Sequence, residues 1–258
     1  MTDTTGDAQP ASARIASAEG LRSLDWPRLL RLAGAADGLA VLVVAALLGD
    51  LEAAVTGLGF VVAMALLRLR NGGLGVLAIG LLSTNVLAWM ALGAYSNLVS
   101  GDGLPGLVIP ALLTTLSLVG VVAALGTWLS RRRTTTDGAG PLVTVALAGV
   151  LLATVLILGA LRSSGAEATA QAGDLVLATA NLRFTKPELS VVAGQVAVVV
   201  KNEDLFWHTF TIDELGVDLR VPVSAERRVT FNAAPGRYSY YCRVPGHDTI
   251  MRGTLRVN

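Results

Sequence analysis

Five long apolar runs follow one another through the first part of the chain. They cover about Leu29–Gly49, Leu51–Leu69, Leu74–Val99, Leu104–Leu129 and Leu142–Leu161. Each holds roughly 19–26 residues, enough to cross a hydrocarbon core about 30 Å thick as a helix. The plain alternative is a set of buried helices in a large soluble protein. Against it, charged residues make up 15% of this chain, where a soluble domain carries about 25%. The runs therefore predict a domain of five transmembrane helices over residues 29–162.

The charges between the runs predict its direction. Arg14, Arg22, Arg28 and Arg31 precede or open the first run, and Asp50 and Glu52 follow it. Arg68 and Arg70 come next, then Asp102, then Arg131, Arg132 and Arg133. Basic and acidic connections alternate, with Arg162 as the single exception. Basic loops stay on the cytoplasmic side. The N-terminus is then expected in the cytoplasm, the helices in the cytoplasmic membrane, and everything after Arg162 on the extracytoplasmic side. Residues 1–28 are polar and mixed in charge and read as a disordered cytoplasmic tail. Asp37 lies inside the first run, where pairing with Arg31, Arg68 or Arg70 is expected. Asn85 reads as an interhelical hydrogen-bonding group. Pro105 and Pro110 read as a helix start and a kink.

Residues 163–173, SSGAEATAQAG, form a linker of small residues, which reaches roughly 15–20 Å as a coil. From Asp174 the texture changes. LVLATANL, LSVVAG, QVAVVVKN, FWHTFTID, RVTFNA, GRYSYYC and RGTLRVN are short, rich in β-branched and aromatic residues, and bounded by turn formers. Such spacing predicts an antiparallel β-sandwich or barrel over 174–258. A domain this small benefits from a further stabilising element such as a metal.

The chain has one cysteine and two histidines, and all three fall in this domain. By strand alternation, His208 shares a face with Phe206, Phe210 and Ile212. In GRYSYYC, Cys242 shares a face with Tyr238 and Tyr240. The loop RVPG then delivers His247, and Met251 follows. Singly, a buried histidine bonded to a carbonyl and a small buried thiol are the ordinary readings. Together, a thiolate, two imidazoles and a thioether make the His2Cys-plus-Met donor set of a type 1 copper site. Zinc fits less well, because structural zinc takes four Cys or His ligands.

Residues 174–258 resemble the cupredoxins, the plastocyanin/azurin family of blue copper proteins. The resemblance rests on the Asn202-Glu203-Asp204 turn before FWHTFTI, the YYC strand, the VPGH turn, and the ending of Met251, Gly253, Leu255 and Val257. The C-x4-H-x3-M spacing looks azurin-like. The resemblance implies one type 1 copper ion, with His208, Cys242 and His247 as strong ligands and Met251 as the axial one. It makes His247 the ligand nearest solvent and the route for electrons. Many cupredoxins carry Asn directly after the first histidine, where it steadies the ligand loop; this chain has Thr209.

A site with four filled ligand positions leaves no place for substrate, so electron transfer and not catalysis is expected. The expected partners are a redox donor and acceptor among membrane respiratory components, together with the lipid bilayer. A net charge of +1 gives no electrostatic case for nucleic acid. Two other functions share the same features: extracytoplasmic copper capture or delivery, and a metal-free interaction module on a membrane anchor.

Overall fold

The computed structural model describes residues 24–69, 72–131, 139–162 and 168–258. Arg70, Arg132, Arg133, the first 23 residues and 163–167 of the expected linker lie outside the described residues. Among the described residues the helices are α1 Trp26–Leu48, α2 Leu51–Leu66, α3 Gly73–Ser100, α4 Gly103–Ser130 and α5 Gly140–Leu161. α1 starts ahead of the expected Leu29 because Asp25 caps it, its Oδ1 accepting the Arg28 N–H at 2.7 Å. α1, α3, α4 and α5 are long and apolar enough to cross a membrane. α2, at 16 residues, is shorter than the expected 51–69. It tightens at its end, where Arg68 and Leu69 N–H groups bond carbonyls only three residues back, and Gly72 then turns with φ +52°.

The chain divides into two compact units. One is drawn from Met1–Val43, Glu52–Ala88 and Leu113–Leu152, the other from Val44–Leu51, Trp89–Leu112 and Ala153–Asn258. In the first, Asp37 is fully buried and does not pair with Arg31 or Arg68. Ser83 of α3 donates to its Oδ2 and Ser117 of α4 to its Oδ1, each at 2.9 Å. Hydroxyls from two neighbouring helices satisfy both oxygens, so the carboxylate ties three helices at one point. Gly120 allows this approach, since a Cβ there would overlap Ser83 Oγ and stand 3.4 Å from Asp37 Oδ2. Asn85 points outward and is not the interhelical group. In the second unit that part is taken by buried Asn97, whose Nδ2 donates to the Gly106 carbonyl of α4. Pro105 lies in the first turn of α4 and Pro110 inside it.

The second unit also holds a two-sheet β domain. Its strands are β1 Leu175–Ala180, β2 Arg183–Phe184, β3 Glu188–Val191, β4 Gly194–Asn202, β5 His208–Ile212, β6 Val217–Val221, β7 Glu226–Ala233, β8 Gly236–Tyr241 and β9 Arg252–Val257. One sheet has the order β2-β1-β4-β7, the other β3-β9-β8-β5-β6. The sandwich is mixed and not purely antiparallel, because β1 pairs parallel with β4 and β3 parallel with β9. The chain visits the opposite sheet at β3 before returning to β4, so no hairpin joins β1 to β4. The core between the sheets contains Leu177, Val198, Val200, Phe210, Ile212, Tyr240 and Leu255, all fully buried.

Alanine at Gly253 is expected to destabilise this domain by about 1–3 kcal/mol, the usual cost of overfilling a core. Gly253 pairs with Tyr240 across β8 and β9, and a Cβ there would overlap the Tyr240 ring. An unchanged denaturation midpoint in Gly253→Ala would show that the ring can move aside.

One ionic contact joins β6 to the α3–α4 connection within this unit. Arg220 donates to Asp102 through Nε at 3.0 Å and to Asn97 Oδ1 through a terminal nitrogen at 3.0 Å. The same guanidinium lies 3.6 Å from the Trp207 ring centroid, a cation–π distance.

Candidate metal centre

β5 sets the first candidate ligand. It pairs with β6 along its whole length, His208 opposite Val221 and Ile212 opposite Val217. His208, Phe210 and Ile212 point into the core as alternation requires. The opposite face is covered too: Thr209 and Thr211 are buried. Their hydroxyls stand 3.0 Å apart, and Thr211 Oγ1 donates to Asp218 of β6 at 2.9 Å.

β8 and the loop after it set the others. Tyr240 and Cys242 face the core, both fully buried. Gly246 takes φ +84°, a conformation that glycine adopts without strain. The chain thereby folds back, and the His247 N–H bonds the Val244 carbonyl at 3.0 Å. The Met251 N–H bonds the His247 carbonyl at 2.7 Å, and the Cys242 N–H bonds the Met251 carbonyl at 3.0 Å. These bonds hold the loop shut, with Met251 fully buried.

His208, Cys242 and His247 form the one cluster of three or more potential metal donors among the described residues, with ligand atoms within 4.8 Å of one another. Cys242 Sγ lies 3.7 Å from Nδ1 of His208 and 3.7 Å from Nδ1 of His247. Imidazole and thiolate donors at about 2.1 and 2.3 Å from a shared ion are at most about 4.4 Å apart, so the spacing fits one metal ion. The imidazole centroids are 5.2 Å apart, tilted by 49°. His247 is half-buried, while the other two and Met251 are closed off from solvent.

The electrostatics favour an ionised sulfur. Burial pushes the Cys242 thiol up, but hydrogen bonding from His208, His247 and the N–H groups of Thr209 and Val244 outweighs this and holds it down to about 6. The Thr209 N–H reaches Sγ at 3.4 Å. A thiolate is the form that ligates metals.

Asp204 is the residue that sequence reasoning left without a role. Its Oδ2 lies 2.9 Å from His208 Nε2, and both side chains are buried. With Nε2–H donating to this carboxylate, Nδ1 is the ring nitrogen that faces the sulfur, and its lone pair becomes available to a metal once its proton is released, an arrangement common behind metal-bound histidines. Burial raises Asp204, yet the hydrogen bond and charge of His208, with the N–H groups of Asn181 and Leu182, hold its carboxyl below the usual range. Burial likewise lowers His208, while Asp204 and Cys242 together raise it above its ordinary value. The turn carrying Asp204 is fixed by Asn202: its Oδ1 accepts from Thr179 at 3.0 Å and from the Asp204 N–H at 2.9 Å, and its Nδ2 donates to the Phe206 carbonyl at 2.7 Å. An acid four residues before a histidine in NEDLFWH was the signal available.

Thr209 does the steadying expected of an asparagine at its position. Its Oγ1 accepts the Arg243 backbone N–H at 2.7 Å, directly after Cys242. The Arg243 guanidinium is fastened in turn by Asp218 and Asp213, at 2.8 and 2.5 Å. Thr209→Val is expected to orphan this N–H and lower stability by about 1–3 kcal/mol, with Thr209→Ser restoring most of it. Equal unfolding midpoints for the valine and serine variants would show that the hydroxyl is idle.

Residues 150–257 match the family model described as a cupredoxin-like domain. Among solved structures, the chain is similar to auracyanin A, a "blue" copper protein from the green thermophilic photosynthetic bacterium Chloroflexus aurantiacus. The two are 25% identical with a TM-score of 0.30, over 33% of this chain and 98% of that one. It is also similar to the azurin Az-iso2 from the obligate methylotroph Methylomonas sp. strain J, at 16% identity and a TM-score of 0.29, over 34% of this chain and 99% of that one. No curated protein matches the chain.

Proposed function

We propose that this chain, whose residues 150–257 match the cupredoxin-like family, is a membrane-anchored type 1 copper protein that carries single electrons at the outer face of the cytoplasmic membrane. The carrying observation is the buried thiolate flanked by two Nδ1 atoms at 3.7 Å. His208, Cys242 and His247 would hold the metal, with Met251 as the weak fourth donor. Copper bound there supplies a one-electron Cu(I)/Cu(II) couple, which this soft and borderline donor set suits in both states.

The protein's own part is to hold the ligands still and exclude water. Asn202 and Asp204 orient His208, Thr209 pins the strand after Cys242, and the Met251 backbone closes the loop. Such fixed ligands change little between oxidation states, which keeps electron exchange fast. His247 is the half-exposed ligand and lies beside exposed Ile250, so a docked redox partner can approach this edge. Enclosure of the other three donors disfavours copper hand-over and favours a resident ion, and no position is left open for catalysis.

The helices supply the anchor. Arg31 early in α1, Arg68 after the end of α2 and Arg131 after the end of α4 line one cavity. Basic residues from these three places therefore gather at one end of the first unit. That gathering supports α2 as a returning crossing and this end as the cytoplasmic one. Five crossings then put the copper domain outside, near membrane respiratory donors and acceptors. The test is the optical spectrum and copper content of the oxidised, copper-replete chain. One copper per chain with an intense visible thiolate-to-Cu(II) band is expected; copper-replete protein without the band sinks the proposal.

A further inference from the structure

A cavity of about 530 Å³ in the helical unit plays no part in metal binding. Arg31, Arg68 and Arg131 line it, with no acidic side chain on its walls among the described residues; Leu30, Val61 and Met64 supply apolar surface. Thr127 also lines it. This threonine is 2% exposed, and its Oγ1 finds no hydrogen-bond partner among the described residues. Inside helices a threonine hydroxyl commonly bonds the carbonyl one turn back, as Thr56, Thr84 and Thr144 do in this chain. Thr127 instead leaves a buried hydroxyl unused at the wall of a basic cavity. Unpartnered buried polar atoms are costly, so a polar ligand atom is called for here.

A second cavity, of about 660 Å³, shares Val76 and Arg131 with the first. Its remaining walls are largely apolar, between α3 and α4, and include Leu77, Leu81, Leu125 and Trp128. A cationic chamber beside a greasy groove, with Val76 and Arg131 on the walls of both, matches one kind of molecule: an amphiphile with an anionic head and a hydrocarbon tail.

We propose that these adjacent cavities bind one anionic glycerophospholipid, its phosphate among the three arginines and Thr127 and an acyl chain along the α3–α4 groove. The inference rests on the helices being membrane-spanning and is independent of the copper reading. Basic chambers between transmembrane helices are suited to anionic headgroups.

The test is a lipid titration of the full-length protein in detergent, read by native mass spectrometry and by thermal stability. Phosphatidylglycerol should bind as one retained molecule per chain and raise the melting temperature. Phosphatidylcholine should do neither, and inorganic phosphate, lacking a chain, should protect far less. Arg68→Gln should weaken phosphatidylglycerol binding about fivefold, the worth of one arginine near a charged headgroup. Thr127→Val, nearly isosteric, should weaken it while leaving the visible copper band unchanged. Equal binding of the two lipids, wild-type affinity in both variants, or equal protection by inorganic phosphate would each overturn the proposal. Fractionation of cells tests the membrane reading separately: a chain found soluble fails there, whatever the titration shows.

Discussion

Cys242→Ser is expected to be colourless. The intense visible absorption of a type 1 site arises from charge transfer out of a thiolate, and Cys242 is the chain's only cysteine. Its sulfur is prepared for the role: buried, held down to about 6, and facing both Nδ1 atoms. A serine hydroxyl in the same place is a hard, protonated oxygen and a poor partner for Cu(I). The variant should fold, because serine is smaller than cysteine and can still accept the Thr209 N–H. It should lose the band entirely and most of its bound copper, measured by absorption and metal stoichiometry on oxidised protein. A serine variant that keeps the band would place the copper elsewhere and end the assignment.

Asp204→Asn should raise the reduction potential by about 60 mV, the one-electron equivalent of a tenfold change in equilibrium. The carboxylate lies behind His208 in a buried setting, where charge is weakly screened. A negative charge there stabilises the site's more positive, oxidised state, so removing it favours the reduced state. The amide oxygen can still accept Nε2–H, which separates charge from geometry. An unchanged potential, measured by voltammetry or redox titration, would mean that the carboxylate only orients the ring.

The same variant carries a pH signature in metal-free protein. Asp204 is lowered on folding, so its contribution is present above the ordinary carboxylate value and lost as pH falls through the lowered one. His208 is raised, so its contribution is full below about 6.5 and lost as pH rises through the raised value. The pair therefore stabilises best between these limits. Asp204→Asn should flatten that dependence in melting temperature against pH; a profile as steep as the wild type's would remove the pair as its cause.

Much of this architecture was legible because the signals are periodic. Run length announced the apolar helices, and two-residue alternation placed His208 and Cys242 on the core face. What escaped depends on pairing across long sequence distances. VDLRV alternates with Asp218 and Arg220 and is not among the expected strands, yet as β6 it pairs with all of β5. Polarity along one strand cannot reveal that Asp218 and the Arg243 N–H cover Thr209 and Thr211. Asp37 was expected beside Arg31, Arg68 or Arg70, whereas its partners are serines of α3 and α4, 46 and 80 residues away. Asn85 and Asn97 look alike along α3, and only the packing of α4 separates them. Asp204 was visible as a turn residue, but its hold on His208 depends on how Asn202 folds that turn.

The burial of β5 on both faces has one more consequence, for refolding. A strand whose side chains alternate between two filled environments cannot slide by a single residue without exchanging every one of them. Slipped one way, Trp207 would face the sulfur; slipped the other way, Thr209 would, and neither is an imidazole. On the proposed copper reading, colour would then act as a proofreading signal: a population refolded from denaturant and supplied with copper is expected to turn blue only in proportion to the molecules whose strands have come into step.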